Sequence, residues 1–420
     1  MKRRVVITGL GAVTPIGNTV NEFWNNTKNG LCGIDFIKSF DIENSKVKIA
    51  AEVKNFDLHN FFSRKQINRL DRFSQLGIAA AIEAYHDAEL DKANFDNERL
   101  GVSIGNGVGG IITIVEETAK LLDGGMNMVS PLLIPKSLPN ILTGNIAINF
   151  NAKGISNTIV TACAAGTNAI GEAFRAIQYG YADIVISGAS EACITPLMLA
   201  GFTNLNALSL KNNPKRASIP FDKERDGFVM GEGAGILILE ELEHALKRNA
   251  KIYGEVVGYG FTCDAYHLTA PTPDSESKAK AMELAIKDAN VSPKDISYIN
   301  AHGTSTPYND KLETKAIKMI FKDYAYKIPI SSTKSMIGHL LGASGAVEAI
   351  ACIKSLEDNY IHATIGYKVK DKECDLDYVV NNGRNVNLSY ILSNSFGFGG
   401  HNASIIFKKW ENNNFFFKYN

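Results

Sequence analysis

The chain has 420 residues, of which 45% are apolar and 21% are charged, as in ordinary soluble globular proteins. Its 44 basic residues balance its 44 acidic residues, so the overall charge does not favour binding to nucleic acid or to an anionic membrane. The sequence has no apolar run long enough to span a membrane, no signal peptide at its start and no C-x-x-C pair among six cysteines. A cytoplasmic protein without a zinc site or a disulfide framework is therefore expected.

Short β-rich segments alternate with helical patterns along the whole chain. In chain order, the predicted strands cover residues 4–8, 100–104, 156–161, 184–187, 235–239, 252–259, 296–300, 328–331, 390–393 and 404–407. The predicted helices cover residues 72–88, 166–179, 275–289, 311–321 and 342–356. This alternation predicts an α/β protein whose strands are largely parallel.

Two of the predicted helices resemble each other. The segment G-T-N-A-I-G-E-A-F-R-A-I from Gly166 aligns with G-A-S-G-A-V-E-A-I-A-C-I from Gly342, and the same shift of 176 residues carries Cys163 onto His339. Two Ala/Gly-rich helices could also match by chance. If the repeat is real, the chain is a duplicated domain with halves 1–251 and 252–411, followed by a tail, 412–420.

Cys163 lies where a predicted strand gives way to a predicted helix. The first turn of a helix leaves backbone N–H groups unpaired, and together with the helix dipole they stabilise an anion. We therefore expect Cys163 to tend toward the thiolate and the N–H groups to hold an oxyanion during acyl transfer. His302 and His339 lie far downstream in glycine-rich segments and are candidate helpers. The structural alternative is a small cysteine buried in the core.

Five motifs together carry a family resemblance. They are T-A-C-A-A-G, P-F-D-K-E-R-D-G-F-V-M-G-E-G-A-G, N-A-H-G-T-S-T-P-Y-N-D, S-S-T-K-S-M-I-G-H-L-L-G-A-S-G and N-S-F-G-F-G-G, in this order. The chain resembles the β-ketoacyl-acyl-carrier-protein synthases over residues 1–409, most closely the type II elongating enzymes of bacterial fatty-acid synthesis. The resemblance implies a duplicated thiolase-like α/β fold with five layers, α-β-α-β-α, two mixed sheets and a homodimer. It also implies a decarboxylative Claisen condensation of an acyl thioester with malonyl-acyl-carrier protein.

The resemblance assigns the catalytic roles. Cys163 takes the acyl chain as a thioester, and two neutral imidazoles, His302 and His339, donate N–H bonds to the enolate that forms when malonyl loses CO₂. Lys334 orients the histidines through a polar network, and Phe398 supplies an oxyanion N–H and a ring that swings to admit acyl chains.

Further residues follow from the resemblance as supporting or substrate-binding groups. A buried ammonium needs a carboxylate, and Asp310 and Glu313 are expected within reach of Lys334. For Glu313, an ordinary carboxylate in the first turn of a helix is nearly as good an interpretation. The substrate-binding residues implied are Thr304, Thr306, Phe396, Gly399, Val108 and Phe202.

The implied partner is acyl carrier protein, which is acidic and needs positive charge near the entrance of the site. Lys65 and Arg69 match basic docking positions of the family, whereas Met126-Asn-Met128 replaces a stretch that is basic in some members. Basic residues elsewhere could compensate, although a solvated loop is an equal interpretation for them: Lys211, Lys215 and Arg216. No organic cofactor and no catalytic metal are expected.

Several alternatives stay open at this point. A type I ketoacyl synthase or a polyketide ketosynthase would share the catalytic trio, whereas a non-catalytic chain-length partner would replace Cys163. A thiolase is disfavoured because position 339 is a histidine and no second C-x-G cysteine follows. A nicotinamide oxidoreductase is disfavoured because the segment from Gly9 is one residue short of the dinucleotide fingerprint G-x-G-x-x-G/A.

Overall fold

A computed structural model describes residues 2–411, so the predicted tail lies outside the described residues. The strands are β1 (Val5–Val13), β2 (Asp35–Phe36), β3 (Ile49–Ala50), β4 (Leu100–Gly105), β5 (Ser156–Ile159), β6 (Ile184–Glu191), β7 (Gly233–Glu241), β8 (Gly254–Cys263), β9 (Ile296–Asn300), β10 (Ile330–Ser331), β11 (Tyr360–Ile361), β12 (Arg384–Asn385), β13 (Tyr390–Gly397) and β14 (His401–Lys409). The α-helices are α1 (Val20–Lys28), α2 (Arg64–Ile67), α3 (Arg72–Asp87), α4 (Ile111–Gly124), α5 (Leu133–Ser137), α6 (Ile141–Phe150), α7 (Ala165–Gln178), α8 (Pro196–Asn204), α9 (Leu242–Lys247), α10 (Glu276–Asp288), α11 (Pro307–Phe321), α12 (Lys334–Ile337) and α13 (Ser344–Asp358). Among these residues, no helix is long and apolar enough to cross a membrane.

Ten strands pair in the order β10-β9-β13-β14-β8-β1-β7-β6-β4-β5. Five strands from each half of the chain lie on either side of the junction between β1 and β8, which pair over only three residue positions. In both halves the three outermost strands are parallel and the inner neighbours are antiparallel. The prediction of mixed sheets is therefore confirmed, whereas the expectation of largely parallel strands is wrong, because each half carries two antiparallel strands beside its parallel three.

Three hydrophobic clusters show how the layers stack. The central cluster joins α7 and α13 to strands of both halves, through residues such as Ile170, Val347, Leu237 and Phe407. A second cluster packs α3 and α6 on the outer face of the first half, and a third packs α10 and α11 on the outer face of the second half. The order is helix, sheet, paired central helices, sheet, helix, which agrees with the five layers predicted.

The two halves also repeat in detail. The helix α3 lies so close to β1 that a Cβ on Gly11 would stand 1.9 Å from the carbonyl oxygen of Ala80, and α10 lies so close to β8 that a Cβ on Gly260 would stand 2.3 Å from that of Ala281. Only glycine permits this approach of backbone to backbone. Equivalent strands in the two halves therefore use the same device to seat the outer helix.

The structure supports the internal repeat, but in a different register. The helices α7 and α13 begin at Ala165 and Ser344, 179 residues apart rather than 176. Each follows a 3₁₀ turn whose first residue has a positive φ, 50° at Ala162 and 48° at Leu341. Position 163 therefore corresponds to Gly342 and not to His339. Because both helices are rich in alanine and glycine, sequence letters alone match equally well one turn away.

Candidate active site

The central helices point their amino ends into one cavity of about 530 Å³. It lies where the loops that follow strands of both halves meet. The sequence-predicted residues in its wall are Val108, Cys163, Phe202, His302, Thr304, Thr306, His339, Phe396 and Phe398. Residues separated by up to 290 positions in the chain thus line the same space.

Cys163 sits in a sharp turn between β5 and α7. Its neighbour Ala162 has φ of 50°, a conformation costly for a residue with a side chain, and this bend turns the cysteine toward the cavity. Burial raises the pKa of the Cys163 thiol to about 12, although Lys334 and the backbone N–H groups of Phe398 and Cys163 lower it. The resting group is therefore the thiol, and the predicted tendency toward thiolate is wrong, because removal from water outweighs the helix end.

His339 contacts the cysteine directly, with Nε2 3.1 Å from Sγ. Its Nδ1 accepts a hydrogen bond from the backbone N–H of Leu341 at 3.2 Å and lies 2.9 Å from the Ser344 hydroxyl. A nitrogen that accepts a backbone N–H carries no proton, so the proton of the neutral ring is on Nε2. Burial and the charge of Lys334 hold the pKa of His339 well below its usual value, which keeps the ring neutral.

His302 follows β9 and is fixed through its backbone. The N–H groups of His302 and Gly303 donate to the carboxylate of Glu313 at 2.9 and 2.8 Å. Lys334 Nζ donates to His302 Nδ1 at 3.3 Å, which leaves the ring proton on Nε2, as in His339. Burial and Lys334 also lower the pKa of His302 well below its usual value. The two rings lie 5.4 Å apart between centroids, nearly perpendicular to each other.

Lys334 is buried, but its carboxylate partner is not one of the two predicted. Its ammonium donates to Glu348 on α13 at 2.5 Å, and both side chains are almost fully buried. Burial raises the pKa of Glu348 to about 7, and Lys334 opposes that shift. The signal for Glu348 was a carboxylate in the middle of an otherwise apolar helix 14 residues after Lys334.

Asp310 and Glu313 act elsewhere in the site than expected. The Asp310 carboxylate accepts the backbone N–H of Phe221 at 2.8 Å and lies 3.8 Å from the guanidinium of Arg225. Glu313 binds the loop of His302, as described above. Both are buried and both support the loop between β9 and α11, whereas neither is the ion-pair partner of Lys334.

A glycine turn between β13 and β14 closes one side of the cavity. Gly399 has φ of 83° and Gly400 has φ of 76°, conformations that favour glycine. This bend presents the N–H of Phe398 to the Cys163 sulfur, while the N–H of Gly399 donates to the carbonyl of Leu268 at 2.7 Å. Two N–H groups, of Phe398 and of Cys163, therefore form a candidate oxyanion hole.

The remaining predicted positions fall into two groups. The hydroxyls of Thr304 and Thr306 lie 2.8 Å apart in the wall of the cavity. Lys65 and Arg69 are exposed on and beside α2, as a docking role requires. Arg216, in contrast, is buried and paired with Asp222 at 2.9 Å, so it does not extend a docking surface.

One residue that sequence reasoning missed ties the two halves together beside Cys163. The buried carboxylate of Glu191 accepts the backbone N–H groups of Gly107 and Val108 from the first half and of Gly342 from the second. Burial raises its pKa to about 7. Its position at the end of β6, near the carboxyl end of a parallel strand, was the available signal.

Comparisons with known proteins agree with this geometry. The family model for the N-terminal domain of beta-ketoacyl synthases matches residues 2–245, and that for the C-terminal domain matches residues 253–368. A protein of Synechocystis sp. named 3-oxoacyl-[acyl-carrier-protein] synthase 2 is 51% identical over 98% of this chain and 99% of its own length. One of the same name from Staphylococcus aureus is 49% identical over 97% and 99%.

Solved structures give the same picture. A ketosynthase bound to the hexaketide, in complex with the acyl-carrier protein of a type II polyketide synthase, has a TM-score of 0.91 at 37% identity and covers 98% of this chain and 100% of that one. A beta-ketoacyl synthase from Burkholderia phymatum has a TM-score of 0.90 at 35% identity, with the same coverage.

Proposed function

The chain belongs to the β-ketoacyl synthase family of condensing acyltransferases, and on that premise we propose that Cys163, His302 and His339 carry out a decarboxylative condensation of acyl and malonyl carrier thioesters. The observation that carries this proposal is the meeting of one thiol and two neutral imidazole N–H donors in a single buried cavity. The product is a 3-oxoacyl thioester that is longer by two carbons. The division of the chain into halves 1–251 and 252–411 belongs to the same proposal.

In the first half-reaction, Cys163 Sγ attacks the carbonyl carbon of the acyl thioester. The carbonyl oxygen gains negative charge, which the N–H groups of Phe398 and Cys163 stabilise. The bond to the carrier sulfur breaks, and the thiol proton ends on the carrier thiol that leaves. His339 does not need to take this proton: its Nδ1 accepts a backbone N–H, and its Nε2 proton faces the sulfur.

In the second half-reaction, the malonyl thioester places its carbonyl oxygen between the Nε2 protons of His302 and His339. The bond to the carboxylate carbon breaks, CO₂ leaves, and the electron pair moves to the enolate oxygen, where both N–H donors stabilise it. The enolate carbon then attacks the Cys163 thioester. The cysteine sulfur leaves and takes up one proton, so that the free thiol is restored.

Acyl carrier protein is the proposed partner, and Lys65 and Arg69 are its proposed docking residues. Both are exposed, and both carry positive charge that suits an acidic carrier. The six cysteines are free thiols, which supports the proposed cytoplasmic location.

A homodimer is proposed from the exposed edge of the sheet. The strand β5 pairs with β4 on one side only, and its residues are exposed or half-buried. The neighbouring helices α4, α5 and α6 expose large apolar side chains, among them Leu122, Ile134 and Ile148. An open strand edge beside apolar surface is the setting in which a second copy binds.

The test follows the acyl group. After incubation with saturated acyl-carrier thioesters, mass spectrometry is expected to find the acyl chain on the peptide that contains Cys163, and the Cys163→Ala variant is expected to show no adduct. Elongation at the parent rate by the Cys163→Ala variant would contradict the proposal.

A polyketide ketosynthase is the second candidate, because structures of that class match the fold at 34–37% identity. The donors distinguish the two. A fatty-acid enzyme is expected to acylate Cys163 from saturated acyl thioesters and to elongate its own 3-oxo product poorly without reduction, whereas a polyketide enzyme would extend that product repeatedly.

A further inference from the structure

A second buried lysine, Lys278, lines the cavity and has no part in the reaction as described so far. It belongs to the first turns of α10 and is only 2% exposed. A lysine side chain is almost never buried to this extent unless charged or polar groups hold its ammonium. Its surroundings therefore indicate what the charge does.

Three groups hold the Lys278 ammonium. Its Nζ lies 3.3 Å from the Oδ1 of Asn402 and 3.9 Å from the carboxylate of Asp264, which is also buried. Asp264 in turn accepts hydrogen bonds from the Asn402 side chain at 2.7 Å and from the backbone N–H of Thr272 at 3.1 Å. The ammonium is thus fixed in position at the ends of β8 and β14.

The third group is the ring of Phe396. The ammonium lies 4.5 Å from the ring centroid, within the range of a cation–π interaction. The same ring packs edge-on against His302, with centroids 5.8 Å apart and an interplanar angle of 74°. The carbonyl of Phe396 also acts on the imidazole, because it raises the pKa of His302. Phe396 therefore connects the ammonium of Lys278 to a catalytic imidazole.

The charges around both groups act in a consistent direction. His302 is faced by Lys334 from α12, by His339, by Lys278 from α10 and by the carboxylate of Glu313 from α11, and the three cationic or titratable neighbours lower its pKa. Burial lowers the pKa of Lys278, and the carboxylates of Asp264, Glu313 and Asp274 oppose that shift.

We propose that Lys278 is a positioning residue for the second half-reaction: it holds Phe396 against His302 and keeps that imidazole a neutral N–H donor for the enolate oxygen. This inference rests on the proposed function. The first half-reaction is not expected to depend on Lys278, because the lysine that lowers the pKa of the Cys163 thiol is Lys334.

The test compares Lys278→Met with Lys280→Met. Methionine keeps the length of the side chain without its charge, and Lys280 is an exposed lysine on the same helix, paired with Glu283. For Lys278→Met, we expect malonyl-carrier decarboxylation to slow roughly tenfold and its acid limb to move to higher pH, because removal of a positive neighbour raises the pKa of His302. Acylation of Cys163 is expected to keep the parent rate, and Lys280→Met is expected to match the parent in both steps.

A second variant separates positioning from folding. Lys278→Met leaves the buried Asp264 without its cation, whereas Lys278→Met/Asp264→Asn removes both charges and is expected to restore the melting temperature. If decarboxylation stays slow and its acid limb stays shifted in this double variant, the inference is supported. Recovery of both in the double variant, equal slowing of the two half-reactions, or an unmoved acid limb in Lys278→Met would overturn it. Absence of any acyl adduct on Cys163 in the parent chain would instead count against the proposed function.

Discussion

At the residue scale, the site depends on neutral groups that are held close together in a place without water. The Cys163 thiol, His302 and His339 are all in their uncharged forms at neutral pH, because burial opposes every charge except that of Lys334 with Glu348. The positive charge is therefore kept one step behind the reacting groups. There it favours the neutral imidazoles and stabilises the negative charge that appears on sulfur or oxygen during the reaction.

The raised pKa of Cys163 predicts how its alkylation depends on pH. The thiolate is the reactive species, and with a pKa of about 12 its fraction rises about tenfold for each pH unit throughout the range below 12. Alkylation of the Cys163 peptide by iodoacetamide, followed by mass spectrometry, is therefore expected to accelerate steadily from pH 7 to 10 in the folded protein. In the urea-unfolded chain, the same peptide is expected to reach a constant rate above about pH 9.5, one unit past an ordinary thiol pKa. A constant rate above pH 8 in the folded protein would contradict this prediction.

Sequence reasoning identified the nucleophile and both histidines, but not the charge state of the thiol or the partner of Lys334. A helix start can be read from local letters, whereas the loss of solvent around Cys163 depends on residues from both halves. Asp310 and Glu313 were chosen because they are near His302 in sequence. Glu348 reaches Lys334 only because α13 is the central helix, which is a tertiary fact.

At the element scale, the contact between each outer helix and its strand is set by glycine. The elements themselves were predictable: all ten strands of the sheet and all five predicted helices are present, with boundaries that differ by a few residues. Their pairing directions were not, because a strand looks the same from its own residues whether its neighbour runs parallel or antiparallel. The repeat register was also ambiguous for α7 and α13, since small residues recur at nearly every turn.

Replacing Gly260 by alanine tests the contact of α10 with β8. The new Cβ would stand 2.3 Å from the Ala281 carbonyl oxygen and 2.5 Å from the Ala285 nitrogen, and neither backbone atom can rotate away. We expect the free energy of unfolding to fall by about 3 kcal/mol or more. The measurement is the urea-unfolding midpoint followed by circular dichroism.

Gly201→Ala is the matched control for this substitution. Gly201 lies in α8 with no atom within 4 Å of its added Cβ, so alanine is expected to leave stability unchanged or to raise it by up to about 1 kcal/mol. Equal midpoints for the two variants would show that α10 moves freely on β8, contrary to the packing described.

At the scale of the whole molecule, the two halves share one cavity and one continuous set of strands. Residues of the catalytic cavity come from both halves, and the carboxylate of Glu191 binds backbone N–H groups of both. Neither half contains a complete site. The duplication, which sequence indicated only weakly, therefore explains why nucleophile and oxyanion donors lie on different halves and still meet.

The open edge at β5 gives the last prediction. If a second copy covers this edge and the apolar surface of α4, α5 and α6, the parent chain is expected to have twice the mass of one chain in sedimentation velocity. The double variant Ile134→Glu/Ile148→Glu places two charges on side chains that are 60% and 81% exposed, so it is not expected to disturb the fold of a single chain. Burying these charges between two copies would cost several kcal/mol each, which is expected to shift the protein to monomer at micromolar concentration. Leu246→Glu, at a 46% exposed position on α9, is the control and is expected to stay dimeric. A double variant that sediments with the parent mass would show that the two copies meet on another face, or that the exposed apolar surface beside β5 has a different partner.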